Sequence, residues 1–187
     1  FIDCGANDGR SCLWFRRHKD PAGRYHYYVF EPHPAFRDDL NALESKLGAP
    51  CVIHEACAWT EYGESVFYVD DRETWHGRYE GSSLFSSKTS GNMDRSKALH
   101  VKTVDFDHWF NDTFAHEDNI VLKLDCEGAE YPLLESMLKS GSIYKINAIY
   151  IEWHWNKIAE ITREKHDSIL QKLKETGVDL YEWVDPT

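Results

Sequence analysis

Positive charge is scarce in this sequence: 21 lysines and arginines face 32 aspartates and glutamates, for a formal charge of −11. Such a chain repels phosphate backbones, which excludes nucleic acid as a main partner and favours a neutral or cationic ligand. Long apolar runs are missing too. Nothing approaches the roughly 18 consecutive apolar residues of a membrane span, and no signal peptide is visible, so the expectation is a soluble, cytoplasmic protein. Paired cysteines are also lacking. Cys4, Cys12, Cys51, Cys57 and Cys126 are odd in number, form no C-x-x-C spacing and in three cases lie inside apolar runs, which points to reduced, packed thiols. No pattern beside them marks an activating partner for a catalytic cysteine. Internal repeats and low-complexity tracts are absent.

The 187 residues suffice for one domain with a large core and no staples. The first residue is Phe1 rather than Met, already within a strand pattern, so the expectation is a single domain over residues 1–187, excised from a longer polypeptide with further domains. Apolar runs rich in Val, Ile, Phe and Tyr alternate with stretches of helical period. FIDC (1–4), YHYYVFE (25–31), CVIHEACA (51–58), NIVLKLD (119–125) and KINAIYIEW (145–153) read as strands buried on both faces, with VDLYEWV as a last strand. Helices are predicted over AFRDDLNALESKLG, with Gly48 as its C-cap, over AEYPLLESMLKSG, with Gly141 ending it, and over 156–176, striped by Ile158, Ile161, Ile169 and Leu173. The fold class is therefore α/β, a doubly wound, mostly parallel sheet with helices on both faces. ESVFYVD (64–70) and LHVKTVD (99–105) form an additional strand pair around a long polar segment that suits a lid or a binding loop.

Three stretches carry candidate chemistry. FIDCGANDG places Asp3, Gly5 and Gly9 at the first strand-to-helix turn, where doubly wound sheets bind ligands. The spacing is D-x-G-x-x-x-G, so the middle glycine of a dinucleotide fingerprint is missing and Asn7 stands there. An acid before the first glycine suits an amino-acid moiety better than a diphosphate. A tight turn without chemistry is the competing reading. The second strand ends in Glu31, 22 residues after Gly9, where a carboxylate accepts hydrogen bonds from a ribose diol; a solvated surface acid is the alternative. KLDCEGAE delivers Asp125, Glu127 and Glu130 around Gly128 at another strand tip. Acids there also gain about 0.3–1 kcal/mol from a helix dipole, which would account for Glu127 and Glu130. IYIEWHW puts Glu152 and His154 on one face and Trp153 on the other. With these two strands adjacent, Asp125, Glu152 and His154 converge on one cleft, although a lone histidine is as often a satisfied core residue.

Through FIDCGANDG, YYVFEPHP, GSSLF, VKTVDFD, KLDCEGAEYPLLE and IYIEWH, in that order over residues 1–154, the chain resembles the FkbM family of S-adenosylmethionine-dependent methyltransferases. The resemblance implies a Rossmann-like class I methyltransferase sheet and O-methyl transfer, often to sugars or sugar-containing natural products. It implies that Asp3, Gly5, Ala6, Asn7, Asp8 and Gly9 cradle the methionine end of the cofactor, Glu31 and Pro32 its ribose, and Ala56 and Cys57 its adenine, with Ser83 and Asp125 completing the set. Cys4 and Cys126 stand where the family more often has Val, Ile or Leu, and the segment 71–95 makes acceptor specificity unreadable.

An alcohol is a poor nucleophile and needs a base or a metal that stabilises its alkoxide. Asp125, with Glu152 or His154, is the expected source. Asp125 and Glu152 are the expected ligands of any metal, for which Mg²⁺ or Mn²⁺ suits oxygen-rich coordination better than zinc. Trp75, Tyr79 and Trp153 are candidate platforms for the apolar face of a carbohydrate acceptor. The alternatives are an NAD-dependent oxidoreductase, for which Glu31 would serve equally, and a non-catalytic cofactor-binding domain attached to a transferase.

Overall fold

The computed structural model describes residues 1–70, 72, 79–91, 93, 95–116 and 118–184. Strand β1 (Ile2–Cys4) leads through a loop into α1 (Arg10–His18) and β2 (Tyr27–Phe30); a 3-10 turn at Pro34–Phe36 precedes α2 (Arg37–Asn41) and α3 (Leu43–Leu47). There follow β3 (Cys51–His54), β4 (Cys57–Trp59), β5 (Gly63–Phe67), β6 (Leu99–Asp105), α4 (Phe106–Thr113) and β7 (Ile120–Leu124). The chain then forms α5 (Glu130–Ser140), β8 (Ile146–Ile151), α6 (Arg163–Thr176) and β9 (Asp179–Glu182).

Six strands form a parallel sheet in the order β3-β2-β1-β7-β8-β9. The order reverses between β1 and β7, which opens a crevice beyond the carboxyl ends of those two strands. Side-chain alternation divides the core into two layers. Ile2, Cys4, Ile120, Leu122 and Leu124 pack with Phe106 and Phe110 of α4, Leu133 and Leu134 of α5 and Leu173 of α6. Tyr27, Val29 and Val121 face the other way, against Cys12 and Phe15 of α1 and Leu40, Leu43 and Leu47 of the α2–α3 pair. The doubly wound α/β architecture expected from the sequence is the one observed.

Some boundaries differ from expectation. CVIHEACA is two strands, β3 in the main sheet and β4 in a second sheet of order β4-β6-β5, with the chain turning at Glu55 and Ala56. Apolar content alone does not show this turn, which rests on the amide of Ala56 donating to the carbonyl of His54 at 2.8 Å. The expected additional strand pair is β5 with β6, and it is antiparallel. The helix over 35–48 is interrupted at Ala42, while Gly48 caps it in the left-handed conformation. The helix predicted over 156–176 begins only at Arg163, because the Thr162 hydroxyl accepts from the amide of Lys165. Ile158 and Ile161 are buried in the preceding connection rather than on the helix. Strand β8 ends at Ile151, so Glu152 and His154 lie just past its tip.

Candidate active site

Four adjacent strand tips, those of β2, β1, β7 and β8, deliver Glu31, Gly5, Asp125 and Glu152 to one cavity of about 100 Å³. Another hollow, of about 580 Å³, lies at the amino ends of the strands between Phe1, Tyr25, His26 and Phe114, so size alone would select the wrong end of the sheet.

Gly5 answers to geometry rather than to composition. Its φ is +83°, and a Cβ there would sit 1.9 Å from the carbonyl oxygen of Asp125. No other residue lets the tips of β1 and β7 close on each other, and the floor of the cavity is consequently bare backbone. Asn7, at φ +52°, turns its amide towards the Glu31 carboxylate, donating to Oε2 at 2.9 Å, and the His33 amide donates to Oε1 at 2.8 Å. Burial pushes the Glu31 carboxyl up to about 7, against the lowering effect of those two amides.

The acid cluster lies at the other end of the cavity. His154 is fully buried, and its Nδ1 lies 3.1 Å from Glu130 Oε1. Glu130 is itself fixed, accepting from the amides of Cys126 at 2.7 Å and Gly128 at 2.9 Å. His154 Nε2 lies 3.2 Å from Glu127 Oε2 and from Glu152 Oε1, and 4.0 Å from Asp125 Oδ1, yet makes a hydrogen bond with none of them. Burial alone would lower the imidazole, but Glu130, Glu152 and Glu127 together hold it up at about 11. Glu152 is brought down to about 2 by the nearby His154, against its burial. Asp125 is pushed up to about 7, chiefly by burial, with Lys123 opposing and Glu152 adding.

Of the residues expected at the cofactor, Gly5, Ala6, Asn7, Glu31, Pro32, Cys57 and Asp125 line the cavity, as does Glu152. Others do not. Asp3 is wholly buried behind the wall, where its carboxylate takes the Ser11 hydroxyl, Cys12 Sγ at 3.3 Å and Lys123 Nζ at 3.1 Å. Strand alternation turns it towards α1, away from the cavity where the methionine end of the cofactor was expected. Asp8 pairs with Arg10 at 2.9 Å, and Gly9 packs its Cα side on Leu43 at the start of α1. Ala56 is buried at the turn before β4. Ser83 is an anchor: its hydroxyl donates to the Glu127 carbonyl at 2.7 Å and accepts from the Phe85 amide. His154 stands behind Asp125 and Glu152 rather than on the wall.

One of the expected aromatic platforms is also corrected. Trp153 packs against Tyr131 and His166, away from the cavity. Tyr79 stacks on His33 at 4.1 Å and lines the cavity, so it stays available as a platform. Trp75 lies outside the described residues.

Sequence reasoning missed Lys123 and Lys88. Lys123 is buried on β7, donates to the Gly5 carbonyl at 2.8 Å and pairs with Asp125 at 3.4 Å. A lysine inside the apolar run IVLKL was its signal. Lys88 reaches Glu127 Oε2 at 2.7 Å, and Thr89 donates from its amide to the Lys157 carbonyl, so the segment 79–91 is pinned over the tip of β7. Polar composition concealed that. The cysteines are free, and burial raises the thiols of Cys4, Cys12, Cys57 and Cys126, which leaves none of them activated.

Among the described residues, no helix is long and apolar enough to cross a membrane. Comparison with curated proteins and with solved structures finds no match. The family model of the methyltransferase FkbM domain matches residues 3–180. That span takes in all four strand tips and the cluster between them, and the chain thus belongs to the FkbM methyltransferase family.

Proposed function

We propose that this domain transfers a methyl group from S-adenosyl-L-methionine to a hydroxyl of a sugar or glycan. The observation that carries the reading is the single cavity in which a buried carboxylate, Glu31, and an acid pair, Asp125 with Glu152, stand at neighbouring strand tips. When bound, the cofactor supplies a sulfonium methyl carbon open to in-line displacement. The bare backbone of Gly5 to Asn7 admits its methionine end, Glu31 accepts from its ribose diol, and the excess of acid favours its positive charge.

The acceptor hydroxyl enters against Asp125 and Glu152. With the cofactor held there, a carboxylate of this cluster would take the hydroxyl proton as the acceptor oxygen bonds to the methyl carbon and the C–S electron pair leaves with sulfur. Holding oxygen against carbon supplies up to about 7–11 kcal/mol, and proton uptake a further 10²–10⁴-fold or so.

Incubation with methyl-labelled cofactor and a panel of glycans, deoxysugars such as rhamnose and fucose first, tests the assignment. The expected result is label on carbohydrate, reduced roughly 10²–10⁴-fold in Asp125→Asn. Label on protein or nucleic acid alone would overturn the acceptor class. Binding of NAD in place of S-adenosylhomocysteine would overturn the cofactor.

A further inference from the structure

Building on that reading, we propose that Asp125, Glu152 and His154 hold one divalent cation, Mg²⁺ or Mn²⁺, between the tips of β7 and β8, where it can take oxygens of the acceptor. One donor atom from each of the three lies within 4.8 Å of the others. Ligand atoms that share one six-coordinate ion stand that close together.

The histidine argues for an ion rather than for a merely crowded acid patch. His154 is fully buried, and its Nε2 has no hydrogen-bond partner although it points at three carboxylates. The other ring nitrogen is occupied by Glu130, whose carboxylate is locked by the amides of Cys126 and Gly128. Metal-binding imidazoles are held in this way, with a carboxylate on the far nitrogen fixing the ring and leaving the near nitrogen to the ion. Glu130 therefore acts as a positioning residue.

Charge leads to the same conclusion. Asp3, Asp125, Glu127, Glu130 and Glu152 are five carboxylates in one network with three lysines, Lys88, Lys123 and Lys157; with His154 neutral, as a metal-bound imidazole is, the excess is two negative charges, which one divalent ion neutralises. Glu127 is the most closely paired of the three acids, with Lys88 at 2.7 Å against 3.4 Å from Lys123 to Asp125 and 3.2 Å from Lys157 to Glu152, and the cluster close enough to share an ion is Asp125, Glu152 and His154. Lys157 shares Glu152 Oε1 at 3.2 Å, and its partly exposed side chain is free to move into solvent when an ion arrives. Two carboxylates and one imidazole without a thiol suit Mg²⁺ or Mn²⁺, and three ligands leave the remaining octahedral positions for oxygens of water or acceptor.

Mn²⁺ serves as the probe, titrated into the full chain by calorimetry and followed by electron paramagnetic resonance. The expected result is one Mn²⁺ per chain with a resolved coupling to a histidine nitrogen, that coupling lost in His154→Gln, and affinity reduced at least about tenfold in Glu152→Gln. Glu152 is partly exposed, so the second variant decides the matter should the buried histidine prove essential for folding. No binding at millimolar Mn²⁺, binding without nitrogen coupling, or binding unchanged in Glu152→Gln would each refute the site. S-adenosylhomocysteine affinity, measured on the same samples without metal, reports separately on the methyltransferase reading.

Discussion

Glu31 shows how one residue answers to several environments. Its burial favours the protonated form, whereas ribose recognition requires the carboxylate to accept hydrogen bonds. The two demands act in opposite directions with pH. Between the ordinary value of 4.5 and about 7, the folded chain holds this proton and the unfolded chain does not, so Glu31's contribution to stability falls as pH rises through that window. Affinity for S-adenosylhomocysteine should rise over the same range and level off above it. Calorimetry from about pH 6 to about pH 8 is expected to show a loss approaching tenfold per unit below the midpoint, and Glu31→Gln should bind weakly with no such slope. Glu31 was legible in the sequence from its distance to the glycine loop. The role of His154 was not, because a lone histidine in IYIEWHW does not reveal that Glu130, two dozen residues earlier, holds its far nitrogen.

Among elements, the contact between the tips of β1 and β7 governs the site. A methyl group on Gly5 would collide with backbone, not with a side chain able to swing aside. Gly5→Ala is therefore expected to cost about 3 kcal/mol or more. Gly141→Ala, where the left-handed φ is similar but no atom lies within 4 Å, should cost only about 1–2 kcal/mol. Urea denaturation of the two variants checks the contrast, and equal losses would mean that backbone conformation, not the strand contact, explains Gly5. The strands and the helix caps at Gly48 and Gly141 could be read from local pattern, because periodicity and capping are short-range properties. The split of residues 51–58 between two sheets could not. Both halves are apolar and β-prone, and only the partners available to each, β2 for one and β6 for the other, tell them apart.

At the scale of the whole molecule, the strand order gathers residues from four distant segments at one end of the sheet. A ligand that spans from Glu31 to Asp125 ties these tips together and should stabilise the fold as a unit. At a concentration of S-adenosylhomocysteine about 100-fold above its dissociation constant, the gain is about 2.7 kcal/mol, or a rise in melting temperature of roughly 5–10 °C for a chain of this size. Scanning calorimetry should show that shift with S-adenosylhomocysteine and none with NAD; the reverse pattern would favour an oxidoreductase.

The α/β class, the parallel sheet, the glycine loop and the acids at the strand tips were all present in the one-dimensional pattern, because burial period and turn chemistry act over a few residues. Which acids face the cavity was settled by packing. Asp3 lies within β1 and Glu31 just past the end of β2, yet Lys123 and Ser11 draw the first inward while backbone amides hold the second at the wall. The sequestration of Lys123 beneath Gly5, the docking of Lys88 on Glu127 and the aim of His154 Nε2 depend on neighbours that are distant in sequence and meet at the tips of β1, β7 and β8, paired side by side in the sheet. Side-chain charge reaches only a few ångströms inside a protein, so what a carboxylate does there depends on which cation the fold places beside it.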